Sequence, residues 1–450
     1  MFTYVIPYQG KYIIYRPLRR LAFLANAALV NLIAELWRRP SEDGLPGDSD
    51  ALRFLESIGF LEQDSPVPPP ASNTAPFKPT VAVCLLTTAC NFRCIYCYAS
   101  GGTGPVRELP SALGQQAIDA VCRNAMEMDQ ERFSLSFHGG GEPTLARDCF
   151  RKLVHHARAR RIPCDITIAS NGYWDRPQRE WILEHLDHVS LSFDGTQALQ
   201  DRQRPLASGK GSFTVVMETI RAMDQRNFPY GIRITVTDAG IDQLPLAIAF
   251  LCRETNCQTF QVEPVCNHGR ARGNNLALND HHRFATAFLE AYDMAFASGR
   301  HLYYSGARPW VITHRFCQAM DNALIVTPNG ELSACYEIHG REHPLAPAFL
   351  FGSLAADGHS MIKPEVWQKL SDRIAERRAL CQGCFCYWHC AGDCPPKTLS
   401  PNLDEPHQFG ARCDLNRLLT QELLVRYIAA GQGLWLGNAL MKRPPDEAQA

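Results

Sequence analysis

Residues 88–98 read Thr-Ala-Cys-Asn-Phe-Arg-Cys-Ile-Tyr-Cys-Tyr, which sets Cys90, Cys94 and Cys97 at the spacing C-x3-C-x2-C. The stretch follows a strand-like run over residues 80–86, so it is predicted to lie at the carboxyl end of a strand, where barrels carry their chemistry. Three thiolates on one short loop can hold three irons of a [4Fe–4S] cube and leave the fourth iron to a small chelating molecule. Zinc is the alternative, but zinc usually takes four ligands, and no fourth Cys or His follows closely.

Strand-like runs continue after this loop and alternate with helical stretches such as 111–128 and 178–186, the pattern of βα units and a parallel sheet. The six predicted strands lie over residues 80–86, 132–137, 165–169, 188–193, 231–237 and 259–265. Along these strands apolar residues alternate with small polar ones, whereas a doubly wound sheet, the alternative, should be apolar on both faces. The expected fold class is therefore α/β, a partial (β/α)6 TIM-like barrel that is open and holds a polar ligand in its lumen.

The composition excludes several classes of protein. Hydrophobic residues make up 46% of the 450 residues and charged residues 20%, which is ordinary for a globular protein and excludes collagen-like and disordered chains. Lys+Arg 45 against Asp+Glu 46 gives a net charge of -1, without the basic excess of a nucleic-acid binder. The apolar run over residues 21–34 is too short to span a membrane and lacks a cleavage site, so we expect a cytoplasmic protein with no membrane partner. Eighteen cysteines in a long chain with CxxC spacings indicate metal or redox chemistry.

Three further motifs follow the strands in order: His138-Gly-Gly-Gly-Glu-Pro-Thr144, Ser170-Asn-Gly172 and Ser192-Phe-Asp-Gly195. Together with the cysteine spacing, they make residues 79–305 resemble the core of the radical S-adenosylmethionine (radical SAM) enzymes. The resemblance implies a reduced [4Fe–4S] cluster on Cys90, Cys94 and Cys97 that cleaves S-adenosyl-L-methionine to a 5′-deoxyadenosyl radical. The residues that it implies for binding the cofactor are Tyr96, Gly140, Gly141, Glu142, Ser170, Ser192 and Arg204.

Seven cysteines stand in a second constellation toward the carboxyl end: Cys317, Cys335, Cys381, Cys384, Cys390, Cys394 and Cys413. Their spacing makes residues 306–432 resemble the SPASM domain, which carries two auxiliary [4Fe–4S] clusters and brings the total to three. The resemblance assigns Cys381, Cys384, Cys390 and Cys413 to auxiliary cluster II, and Cys317, Cys335 and Cys394 to auxiliary cluster I. Relatives have one more cysteine shortly before the first motif cysteine, and residues 306–316 contain none. We expect an open iron in auxiliary cluster I, with Cys386 as a candidate fourth ligand; a zinc ribbon is the alternative for Cys381–Cys394.

The amino-terminal 64 residues are predicted to form a small α+β domain with a hairpin about Gly10 and helices over residues 21–38 and 49–61. A Pro-rich linker over residues 65–78 separates it from the core. Its order and size resemble the winged-helix or PqqD-like domains that capture a leader peptide as an added strand. A stabilising cap on the barrel is the alternative. The chain is predicted to end in a helix from Asp414 to about Ala430 and a tail over residues 433–450.

The resemblance as a whole predicts an oxidoreductase that matures a ribosomally synthesised peptide by hydrogen abstraction and then forms a thioether, C–C or ether crosslink. A low-potential electron donor such as flavodoxin or ferredoxin would be its second partner. A competing possibility is a sulfatase-type maturase that forms formylglycine; there a carboxylate directly follows the second motif cysteine, whereas here Tyr336 follows Cys335 and Glu337 comes one place later. A small-molecule dehydrogenase or epimerase would use the same scaffold, and a non-catalytic iron–sulfur protein would use only its clusters.

Overall fold

The structure is a computed structural model that describes residues 2–38, 50–67, 77–355 and 360–437. Within these ranges the strands, numbered in chain order, are β1 Tyr4–Tyr8, β2 Lys11–Arg16, β3 Leu21–Ala25, β4 Val81–Cys84, β5 Phe133–Phe137, β6 Cys164–Ser170, β7 His188–Ser192, β8 Tyr230–Val236, β9 Thr259–Pro264, β10 His301–Tyr303, β11 Ala323–Val326, β12 Glu331–Ser333, β13 Leu350–Leu354, β14 Ser360–Ile362 and β15 Leu434–Trp435.

The α-helices of the described residues are α1 Ala27–Arg38, α2 Asp50–Ser57, α3 Ser111–Glu127, α4 Arg147–Arg158, α5 Arg176–His185, α6 Gln197–Gln203, α7 Phe213–Gln225, α8 Leu244–Glu254, α9 Arg270–Gly273, α10 His281–Ala297, α11 Ala319–Asn322, α12 Ala346–Phe349, α13 Pro364–Ala379, α14 Tyr387–Cys390, α15 Pro395–Thr398 and α16 Ala411–Ala430. Short 3-10 helices cover Pro17–Arg19, Pro143–Leu145 and Asp238–Gln243. In none of these described helices is there a segment both long and apolar enough to cross a membrane.

The larger sheet contains the predicted barrel strands. Its order is β10-β9-β8-β7-β6-β5-β4-β11-β12-β13-β14, and all neighbours from β10 to β11 are parallel. The six predicted strands are confirmed as β4 to β9, with ends that differ by one or two residues. On the far side of β11 the sheet continues with antiparallel strands. The chain thus has the expected α/β fold with a parallel sheet.

The alternation along the strands separates an apolar face from a polar one. In β6 every second residue is buried, and Ile166 and Ile168 lie in the main hydrophobic core. The polar residues between them face the other side, where the Thr167 hydroxyl donates to the Ser136 hydroxyl at 3.1 Å. Helices cover the apolar face; on α4, for example, the Phe150 ring meets the Phe137 ring edge-on at 4.7 Å. The polar side chains are therefore left on the inner side of the sheet, next to the loops that follow the strands.

The amino-terminal sheet differs from the sequence prediction. The hairpin about Gly10 is present as β1 and β2, but the helix predicted over residues 21–38 begins only at Ala27, and Leu21–Ala25 is a third strand paired with β2. A short apolar run fits a buried strand as well as a helix, and here pairing with β2 selects the strand. The sheet order is β1-β2-β3-β15, because Leu434 and Trp435 from the opposite end of the chain pair with Phe23 and Ala22.

Several further predictions concern the chain outside the barrel. The second amino-terminal helix is described over Asp50–Ser57, whereas residues 39–49, most of the linker and the last part of the tail lie outside the described residues. Strands β11 and β12 are antiparallel and joined by a tight turn in which Gly330 has φ +77°. This is the turn that the sequence predicts to bring Cys335 back toward Cys317. The final helix ends at Ala430, as predicted.

Candidate functional site

The three-cysteine loop leads from β4 toward α3, at the carboxyl end of the parallel sheet. Cys94 is buried, and Cys90 and Cys97 are half-buried. Burial raises the pKa of the Cys90 thiol to about 12 and that of Cys94 to about 11, and in both the neighbouring cysteines of the loop raise it further. The three thiols are therefore close enough to interact. A metal that binds them as thiolates would relieve the cost of their burial.

Backbone contacts from a distant segment fix this loop. The Arg270 side chain donates from Nε to the Cys94 carbonyl oxygen at 2.8 Å, and its backbone N–H donates to the Cys97 carbonyl oxygen at 2.9 Å. Gly269, just before it, has φ +53°, and a Cβ there would overlap the Cys97 and Tyr98 carbonyl oxygens. The loop is thus held by groups that follow β9, on the other side of the sheet opening.

The glycine run, Gly139–Gly141 after β5, packs directly against the cysteine loop. The backbone N–H of Glu142 donates to the Ala89 carbonyl oxygen at 2.7 Å, and a Cβ on Gly141 would overlap that same oxygen. Gly140 has φ +88°, a left-handed conformation that favours glycine. The glycines are therefore required for close approach of two backbones, and they leave the edge of the run free of side chains.

Glu142 holds the ends of β5 and β6 together. Its buried carboxylate accepts hydrogen bonds from the Thr144 hydroxyl at 2.7 Å, the Ser170 hydroxyl at 2.8 Å and the Asn171 backbone N–H at 2.8 Å. Burial raises the pKa of Glu142, and these donors work in the opposite direction. The Ser170 hydroxyl also accepts from the Gly172 N–H and the Trp174 indole, both at 3.1 Å. Both side chains are thus engaged in positioning the two loops.

A buried polar network closes the other side of the cysteine loop. The Tyr96 hydroxyl donates to Asp194 Oδ2 at 2.5 Å and accepts from Arg204 Nη1 at 2.8 Å. Gln203 donates to the same Asp194 oxygen at 2.9 Å, and burial raises the pKa of Asp194 although Arg204 lowers it. The Nε–H of Arg204 is buried without a hydrogen-bond partner among the described residues. Ser192 ends β7, two residues before Asp194, and is half-buried.

Asp194 is not identified by the sequence as a site residue, although it lies in the motif Ser192-Phe-Asp-Gly195. Its partner Tyr96 is 98 residues away in the chain, so only the fold reveals the contact. The structure brings the predicted residues Tyr96 and Arg204 together at this point. It places Glu142 and Ser170 in hydrogen-bond contact with each other beside the glycine run, where they join the ends of β5 and β6.

A second group of thiols gathers Cys381, Cys384, Cys390 and Cys413 at the end of α13 and the start of α16. The pKa of Cys381 is raised by burial and by Cys384 and Cys413, and burial and Cys384 also raise that of Cys390. The Asn416 amide donates to the Cys390 sulfur at 3.4 Å. Cys386 belongs to the same neighbourhood, because its thiol interacts with Cys384 and Cys390 and donates to the Thr420 hydroxyl at 3.5 Å. Its sulfur is therefore engaged beside the second group.

The third group of thiols contains Cys317, Cys335 and Cys394. After burial, the charges of Cys335 and Cys317 are among the groups that raise the pKa of Cys394. This group adjoins the glycine run, since the Tyr336 ring lies 5.0 Å from the His138 ring and a Cβ on Gly140 would contact the His339 side chain at 3.8 Å. The third group thus lies beside the glycine run that follows β5.

The arrangement of the thiols bears on which metal they could hold. All ten assigned cysteines are free thiols. Over the described ranges, no three His, Cys, Asp or Glu side chains are close enough to hold one metal ion. In a [4Fe–4S] cube each thiolate binds a different iron, so the ligands stand farther apart than around a single zinc ion. The three groups of buried and half-buried thiols therefore fit polynuclear clusters by their donor atoms and by their spacing.

Comparison with known proteins agrees with this site. Residues 84–242 match the family model of the Radical SAM superfamily. The chain is 28% identical over 334 residues to mycofactocin maturase MftC of Mycolicibacterium smegmatis, which covers 69% of this chain and 78% of that protein. It is 25% identical over 362 residues to the serine-type anaerobic sulfatase-maturating enzyme of Klebsiella aerogenes, which covers 76% of this chain and 85% of that enzyme.

Solved structures share the fold. The structure of native anSMEcpe with bound AdoMet superposes with a TM-score of 0.61 at 16% identity and covers 78% of this chain and 99% of that one. Streptococcus suis SuiB bound to the precursor peptide SuiA has a TM-score of 0.52 at 14% identity, over 87% of this chain and 94% of that one. Both likenesses cover a larger share of the chain than residues 84–242.

Proposed function

With a radical SAM domain at residues 84–242, we propose that this chain is an oxidoreductase that modifies a ribosomally synthesised peptide by hydrogen abstraction followed by crosslinking. The single observation that carries the proposal is the locked arrangement of the three-cysteine loop, the glycine run and the Tyr96–Asp194–Arg204 network. All three stand at the carboxyl end of one parallel sheet. A mycofactocin maturase and a sulfatase-maturating enzyme are among its relatives over most of the chain.

The cofactors of the proposal follow from the three thiol groups. Cys90, Cys94 and Cys97 would hold the cluster that binds S-adenosyl-L-methionine; Cys317, Cys335 and Cys394 would hold auxiliary cluster I, and the remaining four assigned cysteines auxiliary cluster II. When bound, the first cluster and S-adenosyl-L-methionine supply a 5′-deoxyadenosyl radical that removes a hydrogen atom from the substrate. Low-potential electrons would come from a carrier such as flavodoxin or ferredoxin.

The chain's own residues bind, orient and shield. Gly140 and Gly141 expose backbone groups without a Cβ, which suits the amino group of a methionine moiety beside the cysteine loop. Arg204 offers a buried Nε–H that a carboxylate would satisfy. Its guanidinium donates to the Tyr96 hydroxyl, which Asp194 holds in place. Glu142 and Ser170 keep the loop after β6 against the glycine run. Such fixed donors need no rearrangement during the reaction.

The two edges of the amino-terminal sheet determine whether it could accept a peptide as an added strand. The edge of β3 is already paired with β15 at Ala22 and Phe23. On the other edge, β1 contains Pro7, which has no N–H to donate and whose carbonyl oxygen accepts from Gln421 at 3.2 Å. Because both edges are partly occupied, we favour the cap over peptide capture by strand addition for this sheet.

The competing function is formylglycine formation by a sulfatase-type maturase. The relative from Klebsiella aerogenes supports it. Against it, the residue directly after Cys335 is Tyr336, whose ring lies beside His138, and the next residue, the carboxylate Glu337, faces a lysine. The same experiment separates the two functions, since a formylglycine-forming enzyme would oxidise a Cys or Ser and leave no crosslink.

The experiment is co-expression of the enzyme with each short peptide encoded beside its gene, followed by intact-mass and fragmentation analysis. A Cys90/Cys94/Cys97→Ala variant is the control. Loss of two hydrogens per site, absent in the control, together with a gap in the fragment ladder, is the expected result. Unchanged peptide masses, despite 5′-deoxyadenosine formation by the reduced enzyme, would overturn the peptide assignment in favour of a small-molecule substrate.

A further inference from the structure

A buried lysine lies beside the third group of thiols. Lys397 stands three residues after Cys394 on the short helix α15, and only 14% of its side chain is exposed. Its ammonium is 3.7 Å from the Glu337 carboxylate, which is itself only 24% exposed. Burial raises the pKa of the Cys266 thiol, two residues after β9, and the nearby Lys397 ammonium lowers it. The Lys397–Glu337 pair thus lies near both the third thiol group and the segment that follows β9.

Both members of the pair adjoin cysteines of the third thiol group, because Glu337 lies two residues after Cys335 and Lys397 three residues after Cys394. The backbone N–H of Glu337 donates to the Cys335 sulfur at 3.4 Å. The backbone N–H of Lys397 donates to the Cys394 carbonyl oxygen at 3.0 Å. A positive and a negative charge therefore face one ligand set from two sides.

Stability does not account for such a pair. Removing two charges from water costs free energy that their attraction repays only with good geometry, and a separation of 3.7 Å without a direct hydrogen bond is not good geometry. At 3.7 Å the ammonium and the carboxylate each favour the charged form of the other, so the pair places two opposite charges beside the third thiol group.

We propose that the Lys397–Glu337 pair sets the reduction potential of the iron–sulfur cluster that Cys317, Cys335 and Cys394 would hold, with Lys397 favouring the reduced state and Glu337 the oxidised state. The inference rests on the proposed function for the presence of that cluster. Reduction adds one electron, and so one negative charge, to the ligand set, with no bond made or broken. Nearby net charge is one of the established determinants of the potential of such clusters. Lys397 and Glu337 are positioning residues here, because they would act through the thiolates.

The test is a redox titration with dithionite, followed by electron paramagnetic resonance, in the Cys90/Cys94/Cys97→Ala background that leaves the two auxiliary sites. Lys397→Met is expected to lower the ratio of reduced to oxidised cluster about tenfold at a fixed potential, which corresponds to about 59 mV for one electron. Glu337→Gln is expected to raise that ratio by a similar factor, and the double variant to return toward the parent. Lys369→Met is the matched control, since Lys369 pairs with Asp404 at 2.8 Å while 53% exposed.

Three outcomes would overturn the inference. They are shifts of the reduction potential of the same sign in Lys397→Met and Glu337→Gln, no shift in either variant, and a shift of equal size in the control Lys369→Met. If Lys397→Met fails to assemble the cluster, Lys397→Arg and Glu337→Gln carry the test, with the parent potential expected for the first and a raised one for the second. Iron content separates this inference from the proposed function: a parent protein that binds no iron at the second and third thiol groups contradicts the cluster assignment itself.

Discussion

Replacing Glu142 by alanine is expected to loosen the contact between the loops that follow β5 and β6. The substitution removes the acceptor of three short hydrogen bonds, from the hydroxyls of Thr144 and Ser170 and the backbone of Asn171, at 2.7 to 2.8 Å. The donors are buried and would be left without their partner. The predicted effects are a less stable core domain and a weaker site for S-adenosyl-L-methionine.

The magnitude can be worked from these bonds. A hydrogen bond to a charged group contributes about 1.5–3 kcal/mol, and three of them would give an upper limit that relaxation of the loops reduces. We expect a loss of roughly 4 kcal/mol, which lowers the melting temperature of a domain of this size by about 10 °C. Glu142→Gln keeps one oxygen and should lie between the two.

The assay is thermal denaturation of the iron-free protein, so that loss of a cluster cannot produce the effect. Glu180→Ala is the control, since Glu180 is an exposed carboxylate in a helix surface pair with Arg176 and its removal should leave the midpoint unchanged. A Glu142→Ala variant that melts with the parent would refute the reasoning. Binding of S-adenosyl-L-methionine to the iron-loaded variant, expected to be at least about tenfold weaker, tests the second part.

Three further perturbations have expected outcomes. Gly141→Ala should abolish 5′-deoxyadenosine formation while the protein still folds, since the new Cβ would overlap the Ala89 carbonyl oxygen; activity within about tenfold of the parent, measured by chromatography, would contradict the close packing. Burial lowers the pKa of His301 to about 4, so the folded protein binds the proton less readily than the unfolded chain. The free energy of unfolding should therefore fall by about 3 kcal/mol as the pH drops from 6.5 to 4. Urea denaturation of His301→Phe should lack this part of the pH dependence, and an unchanged pH dependence would contradict the assignment. Trp435→Ala should lower the free energy of unfolding by about 3–5 kcal/mol, because the indole is buried and stacks on Tyr427 at 5.6 Å. Since Trp435 also pairs with Ala22 on β3, limited proteolysis should then release the amino-terminal domain first; an unchanged cleavage pattern would contradict the idea that Trp435 anchors this domain to α16.

The barrel strands could be predicted from the sequence because one local signal, the alternation of apolar and polar residues, decides both their type and their faces. The same reasoning was wrong at Leu21–Ala25, where five consecutive apolar residues carry no alternation and the pairing with β2 decides. β15 was not predicted at all, since two residues give no periodicity and the partner strand is about four hundred positions away.

The residues of the site likewise divide into those that the sequence predicts and those that only the fold reveals. The cysteines and glycines could be found from their spacing because metal ligands and close backbone contacts restrict residue type at fixed positions. The Tyr96–Asp194–Arg204 network and the Lys397–Glu337 pair could not, because ordinary polar residues become partners only when distant loops meet. Glu142 lies between these cases: its motif marked it for the cofactor, and the fold shows it holding two loops together.

The pairing of β15 with β3 has a consequence for how the protein is made. Strand β3, Leu21–Ala25, is synthesised long before Leu434–Trp435, the fourth strand of the same sheet. During synthesis the β3 edge stays unpaired at the positions of Ala22 and Phe23 while the whole barrel and all eighteen cysteines emerge. The sheet is completed only after Leu434–Trp435 has been synthesised, so products truncated before this strand would keep an unpaired β3 edge that is open to pairing with another chain.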